Sequence, residues 1–368
     1  MHLVKKLGII MGLSDKLKLV KEVGEEIITE TELKNLLETK KHLSAYDGFE
    51  PSFGKAPIHF AIYRAINIKK LMKAGIRFKL LLADYFAFLN NKLGGDLKKI
   101  QKVGEYFLEV WKAAGVKTRK VKVYWTSDIV KSRAYWDIVL RIARLMSIKR
   151  ALRATTIMGR IKGELQSAAQ VFYPAMQVAD IFHLGVDICQ LGMDQRKANV
   201  LARELAPKLG FKKPVLVHHH ILIGLRGLQK KKSIEARMIA SKMSKTDPSS
   251  CIYVHDSFEE IKKKLDKAYC PIKRTEGNPL IEYCKYLIFS QFDKMRIERS
   301  DKFGGNIIVG SFNELVSMYE KGKLHPNDLK FNVALYLDDM VRPIRRYFER
   351  KRKAKKLYET VSKYVSTR

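Results

Sequence analysis

Residues 173–197, YPAMQVADIFHLGVDICQLGMDQRK, carry the densest set of groups able to hold a polar small molecule. Pro174 suits the first turn of a helix, where a missing N–H costs nothing. On such a helix Tyr173, Gln177 and Asp180 stand at i, i+4 and i+7 and share one face. Ala175, Met176, Val178 and Ala179 cover much of the rest. Gly185 is a helix stop. Residues 186–191 make one buried strand, which Gly192 closes ahead of Asp194-Gln195-Arg196-Lys197 at the start of another helix. A hydroxyl, an amide and a carboxyl beside a strand that ends in glycine make a small-molecule site, because ligands of open α/β sheets lie beyond the carboxyl ends of the strands. The same residues would also serve as the wet face of an amphipathic helix, so the neighbouring elements must decide.

Those elements alternate. Residues 14–43 have helical spacing, with cap chemistry at Thr29-Glu30-Thr31-Glu32. A strand begins at Ser44, a loop with Gly54 and Pro57 leads into a helix over 62–74, and strands follow at 78–83 and 121–125 around a helix over 97–114. Strand, helix, strand in this order predicts a parallel sheet with crossover helices. A long basic helical stretch covers 132–152, a helix runs from 198 to about 205, and the last strand of this half is 215–220. The lysine-rich stretch 226–241 reads as a flexible excursion. Beyond Pro248 the pattern is helical: 258–268, 279–289, 312–321, 326–348 and 357–364. The expected fold class is α/β and Rossmann-like with inserted helices at about 132–170, followed by a mostly α-helical domain. The expected divisions are 1–45, 46–250 and 251–368.

The chain carries 71 Lys and Arg against 38 Asp and Glu, a formal charge of +33, which points to a polyanionic partner, nucleic acid first. A lysine-loaded surface has the same composition, so charge alone does not name RNA. No apolar run approaches the roughly 20 residues that cross a bilayer, and the short apolar patch near the start lacks a signal-peptide pattern. A cytoplasmic protein without membrane attachment is expected. Cys189, Cys251, Cys270 and Cys284 lack CxxC spacing and are expected as free thiols. His218, His219 and His220 alternate faces on an extended segment, so they do not converge on one ion. No metal site is expected.

The stretch YPxMQxxD followed by GxDQRK resembles the tyrosine-binding segment of tyrosyl-tRNA synthetases of the archaeal and eukaryotic cytosolic type. Three further stretches carry the resemblance over about residues 30–368. His59-Phe60-Ala61-Ile62 is similar to the HIGH motif of class I synthetases, with Ala61 for the glycine and Ile62 for the second histidine, after a longer loop. Lys242-Met243-Ser244-Lys245-Thr246 is similar to KMSKS. Phe303-Gly304-Gly305 and His325-Pro326-Asn327-Asp328-Leu329-Lys330 resemble the FGG and HPxDLK elements.

The resemblance implies tyrosine activation by ATP, with Mg²⁺ accompanying the ATP, followed by transfer to tRNA-Tyr by a homodimer. It implies that Tyr46 and Asp180 bond the substrate phenol, and that Tyr173, Gln177 and Gln195 hold its amino group. Gly192 and Asp194 would meet the ribose. His59, Ala61, Lys242, Met243, Ser244 and Lys245 would serve ATP, with His59, Lys242 and Lys245 stabilising the phosphates. Phe303, His325, Pro326 and Asp328 would read the anticodon by stacking and edge pairing. The alternatives are a tryptophanyl-tRNA synthetase, or a non-catalytic RNA-binding relative, motivated by the altered His59 motif and the charge. A Tyr46–Asp180 pair favours a phenol over an indole, whose polar handle is only an N–H donor.

Overall fold

The computed structural model describes residues 11–159, 167–228 and 248–365. The apolar patch at 1–10, most of the lysine-rich stretch and Lys242, Met243, Ser244, Lys245 and Thr246 lie outside the described residues. In chain order the first half contains α1 (Leu13–Lys21), β1 (Glu26–Ile28), α2 (Glu30–Thr39), β2 (Ser44–Phe49), a π-turn (His59–Tyr63) running into α3 (Arg64–Lys73), β3 (Arg77–Leu82), α4 (Asp84–Leu89) and α5 (Leu97–Ala113). Next come β4 (Lys122–Trp125), α6 (Thr126–Ile129), α7 (Arg133–Arg144), α8 (Ile148–Ala154), α9 (Ala169–His183), β5 (Ile188–Gly192), α10 (Arg196–Leu209) and β6 (Val215–His219). The remainder holds α11 (Phe258–Asp266), α12 (Pro279–Tyr283) with a second π-turn (Cys284–Ile288), β7 (Met295–Ile297), β8 (Ile307–Val309), α13 (Phe312–Glu320), α14 (Pro326–Arg350) and α15 (Arg352–Val361).

The strands order β1-β6-β5-β2-β3-β4, with β1 antiparallel to β6 and the other pairs parallel. From β2 the chain steps outward through β3 to β4, then returns to the other side of β2 for β5 and β6. The order therefore reverses between β2 and β5, where Tyr46 pairs with Cys189, and that is the place where open α/β sheets bind ligands. Side chains alternate across the strands. Ala45, Leu80, Leu82, Ile188, Val215 and Val217 enter one apolar cluster with α3, α5 and the helices after 251. Tyr46, Leu81, Cys189 and Leu216 enter a second, with α7, α9 and α10. Both faces of the sheet are thus covered, as parallel sheets require.

Several expectations are corrected. Residues 14–43 are not helical throughout: β1 intervenes, zipped onto Leu216, Val217 and His218 of β6. Thr29 does cap α2, in a capping box with Glu32. The 132–152 stretch is two helices, with Ser147 capping the second. Pro207 lies within α10, which ends at Gly210 in the left-handed region. Pro174 is the sixth residue of α9, since that helix begins at Ala169. The C-terminal half also holds a short hairpin, β7 with β8.

The π-turn has a local cause. The Phe60 carbonyl accepts a hydrogen bond from the Trp111 indole N–H at 3.2 Å, and the Arg64 N–H closes the turn on the His59 carbonyl. Phe60 itself packs among Phe49, Phe53, Phe107 and Trp111, with ring centroids 4.2–5.5 Å away.

The three histidines do separate jobs. Buried His218 sits between Asn199 (3.0 Å) and Glu26 (2.8 Å). His219 meets Gln190 at 2.6 Å. His220 lies between Glu25 (3.2 Å) and Glu282 (3.1 Å) and stacks on Tyr286. Burial lowers the His220 pKa, but the bonds and charges of Glu25 and Glu282 outweigh it and raise the value to about 9. A folded-state pKa above the unfolded one stabilises fully below about 6.5 and is lost as pH rises through about 9. The unfolding free energy should therefore fall by on the order of 2–3 kcal/mol between pH 6 and pH 10 from this residue. Denaturant titrations of the parent and His220→Asn should show a steeper alkaline loss in the parent; equal slopes would refute the assignment.

Candidate active site

From Tyr173 to Phe182 every residue of α9 is buried, Tyr173, Gln177 and Asp180 among them. A wet helix face is thereby excluded. Asp180 is 1% exposed. Burial pushes its carboxyl well above the usual range, against the effect of a hydrogen bond donated by Tyr135 at 3.0 Å. Tyr46, on β2, is also 1% exposed. Its hydroxyl has no hydrogen-bond partner among the described residues. Burial raises the Tyr46 pKa, and the charges of Cys189 and Asp180 add to it. A phenol donor and a carboxyl are thus held side by side in low dielectric, and a buried unpaired hydroxyl costs about 1–3 kcal/mol.

The Tyr173 hydroxyl donates to Glu50 at 2.7 Å, and its ring packs edge-on against Phe86. Gln177 donates to Gln195 at 3.1 Å, and Gln195 donates to the Ile157 carbonyl at 3.1 Å. That chain ties α9, the start of α10 and the turn after α8 together. At the end of β5, a Cβ on Gly192 would lie 2.5 Å from Asp194 Oδ1 and 2.5 Å from Ile221 Cδ1. A larger residue there would have to displace the ends of those two side chains.

On the other face of β2, buried Asp47 takes two bonds from Arg64 Nη1, at 2.6 and 2.7 Å. Burial raises the Asp47 pKa to about 6 against the pull of Arg64. His59 is half-buried and opens the π-turn, and Ala61 is fully buried. The turn's end approaches β6, where Tyr63 packs edge-on to His219 at 5.7 Å.

The structure therefore brings Tyr46, Tyr173, Gln177, Asp180, Gln195, Gly192 and Asp194 to one end of the sheet. Phe303, His325, Pro326 and Asp328 lie elsewhere, on the hairpin and the start of α14. Phe303 is 63% exposed. His325 caps α14 by accepting from the Asn327 N–H at 3.2 Å, and Pro326 follows in the first turn. Arg299 donates to the carbonyls of Gly305 (2.7 Å) and Lys323 (3.1 Å), which joins the Phe303 loop to the His325 loop. Asn332 clasps the Glu298 backbone with bonds of 2.7 and 2.9 Å.

Residues outside the motifs complete the site. Glu50 stands in residues 44–51, SAYDGFEP, but nothing in that stretch marks it as a partner of Tyr173. Tyr135 gave no signal, because it meets Asp180 from an inserted helix 45 residues away.

The buried phenol and carboxyl lie at the switch point of the sheet, the place where open α/β sheets take their ligands. Residues 38–342 match the family model of tRNA synthetases class I (W and Y). The chain is 47% identical over 354 residues to tyrosine–tRNA ligase 1, cytoplasmic, of Arabidopsis thaliana, covering 95% of this chain and 89% of that protein. It is 40% identical over 362 residues to a tyrosine–tRNA ligase of Saccharolobus islandicus, covering 97% and 100%. The crystal structure of tyrosyl-tRNA synthetase complexed with L-tyrosine from Pyrococcus horikoshii superposes with a TM-score of 0.88 at 39% identity, covering 95% of this chain and 100% of that one. The chain belongs to the class I tRNA synthetases of the tryptophan and tyrosine family.

Tyr135 orients the Asp180 carboxyl, so Tyr135→Phe should raise KM for tyrosine about 10-fold, the worth of one hydrogen bond in a buried pair. Preference for tyrosine over phenylalanine should fall with it. Unchanged selectivity in a folded variant would show that Tyr135 only fills space.

Proposed function

We propose that the chain activates L-tyrosine with ATP and transfers the tyrosyl group to tRNA-Tyr. The observation that carries this reading is the unpaired Tyr46 hydroxyl buried beside Asp180. A substrate phenol donates to Asp180 and accepts from Tyr46, and so pairs both. Phenylalanine leaves the Tyr46 hydroxyl unpaired and brings Asp180 no partner besides Tyr135, the source of strong discrimination without editing; tyrosyl-tRNA synthetase is itself the standard example, at roughly 10⁵. Tyr173, Gln177 and Gln195 hold the amino group. Gly192 and Asp194 receive the ribose.

The tyrosine carboxylate attacks the α-phosphorus of ATP, and the bond to the bridging oxygen of pyrophosphate breaks. A hydroxyl at the tRNA 3′ end then attacks the carbonyl carbon, and AMP leaves. Catalysis is positioning plus charge stabilisation, with His59, Ala61 and the Lys242, Met243, Ser244, Lys245 segment assigned to ATP. Mg²⁺ accompanies the phosphates, as is usual for this ion. The name of the Arabidopsis relative places that protein in the cytoplasm, and we assign this chain to the same compartment.

Phe303, His325, Pro326 and Asp328 are assigned to the anticodon, supported by the exposed Phe303 ring and the Arg299 bridge between the two loops. Tyrosine-dependent ATP–pyrophosphate exchange, run with all twenty amino acids, tests the activation step; exchange with tryptophan alone, or none, removes the reading. Asp328→Ala should lower tRNA charging at least 10-fold with exchange nearly intact. An equal fall in both would withdraw its anticodon role.

A homodimer through the inserted helices is also proposed. Its support is that Leu140, Leu145 and Ile148 are 58%, 43% and 77% exposed on or beside α7 and α8. Light scattering should give about twice the chain mass, and Leu140→Glu with Ile148→Glu should return a monomer.

A further inference from the structure

The loop between β2 and the π-turn is gripped from outside the sheet. The Ala56 carbonyl accepts from the Val254 N–H at 2.9 Å, and the Ile58 N–H donates to Ile252 at 3.0 Å. The Ala56 N–H donates to the buried Tyr106 hydroxyl at 3.2 Å. The Tyr106 hydroxyl in turn shares a hydrogen bond with His255 Nε2 at 2.9 Å. His255 lies flat on Tyr358 of α15, with centroids 3.6 Å apart at 16°, and edge-on to Phe348 of α14. Burial holds the His255 pKa down at about 3, so the imidazole stays neutral. A second contact is backbone to backbone: a Cβ on Gly54 would sit 1.8 Å from the Val361 carbonyl oxygen and 3.0 Å from the Ser362 nitrogen.

We propose that helix α15 is a positioning element for the nucleotide loop. Through Tyr358, His255 and Tyr106 on one side and the Val361–Gly54 contact on the other, it fixes residues 53–57 and hence the approach to His59. This rests on the reading that the loop and His59 meet ATP. A glycine-containing loop held in advance has little freedom left to lose when its ligand arrives. A loop released from the helix must be ordered by ATP itself, and apparent affinity drops by the fraction of time the loop is competent. Tyrosine should be indifferent, because its site is built from the opposite face of the sheet, among α7, α9 and α10.

The test is tyrosine-dependent ATP–pyrophosphate exchange without tRNA, on the full chain and on Tyr358→Ala, Tyr358→Phe and Tyr106→Phe. Tyr358→Ala and Tyr106→Phe should raise KM for ATP by about 5- to 10-fold, the scale of one hydrogen bond or its support. KM for tyrosine should stay within about 2-fold, and Tyr358→Phe, which keeps the stacked ring, should match the parent. An unchanged KM for ATP in the folded variants, or a parallel rise in both KM values, would overturn the proposal. If Tyr358→Ala does not fold, Tyr106→Phe, which removes a single oxygen atom, decides. Hydrogen exchange at the Gly54, Lys55 and Ala56 amides provides a readout independent of activity. Faster exchange in the variants supports the strut even if the parent proves inactive, and equal exchange rejects it even if the parent is fully active.

Discussion

A phenol hydroxyl shut away from water without an acceptor is a standing cost of about 1–3 kcal/mol, and Tyr46 is held in that state against a buried carboxyl. The surrounding structure exists to keep it so. The sheet's order reverses between β2 and β5, which opens the cleft next to Tyr46. Helix α9 is apolar enough to be buried all round from Tyr173 to Phe182, which removes solvent as a partner for Asp180. Tyr135 leans in from α7 and occupies one oxygen of that carboxyl. On the proposed reading a guest with a hydroxylated ring relieves that cost, and selectivity is drawn from it.

The two faces of the sheet divide the labour. One carries the aromatic cluster of Phe49, Phe60, Phe107 and Trp111 and continues into the helices after residue 251. The other carries the polar notch and the inserted helices. On the proposed reading such a division lets the nucleotide side be adjusted by the C-terminal helices while the amino-acid side is left alone. It also explains why Asp47 and Tyr46, adjacent in sequence, serve different ends: Asp47 ties β2 to α3 through Arg64, and Tyr46 faces the notch.

What was legible in the chain followed from strong periodicity. The alternation of apolar strands with amphipathic helices is repeated often enough to imply the parallel sheet, and the i, i+4, i+7 spacing placed Tyr173, Gln177 and Asp180 together. What escaped depends on distant partners. β1 is three residues long and exists because β6, some 190 residues on, offers it a free edge. The β7–β8 hairpin is equally short. Tyr135 and Glu50 enter the site through tertiary contacts that no local pattern encodes. Pro174 misled because a proline is tolerated mid-helix when packing secures the turn around it.

The π-turn at His59–Tyr63 has a bearing on how this chain tolerates change in length. A turn closed from residue i to i+5 accommodates one more residue than an α-turn, and here the Trp111 indole satisfies the carbonyl left over. The additional residue is thus held within a single coil, and α3 follows it as regular helix. One residue of added length is taken up at the mouth of α3, and Arg64 still reaches Asp47 on β2.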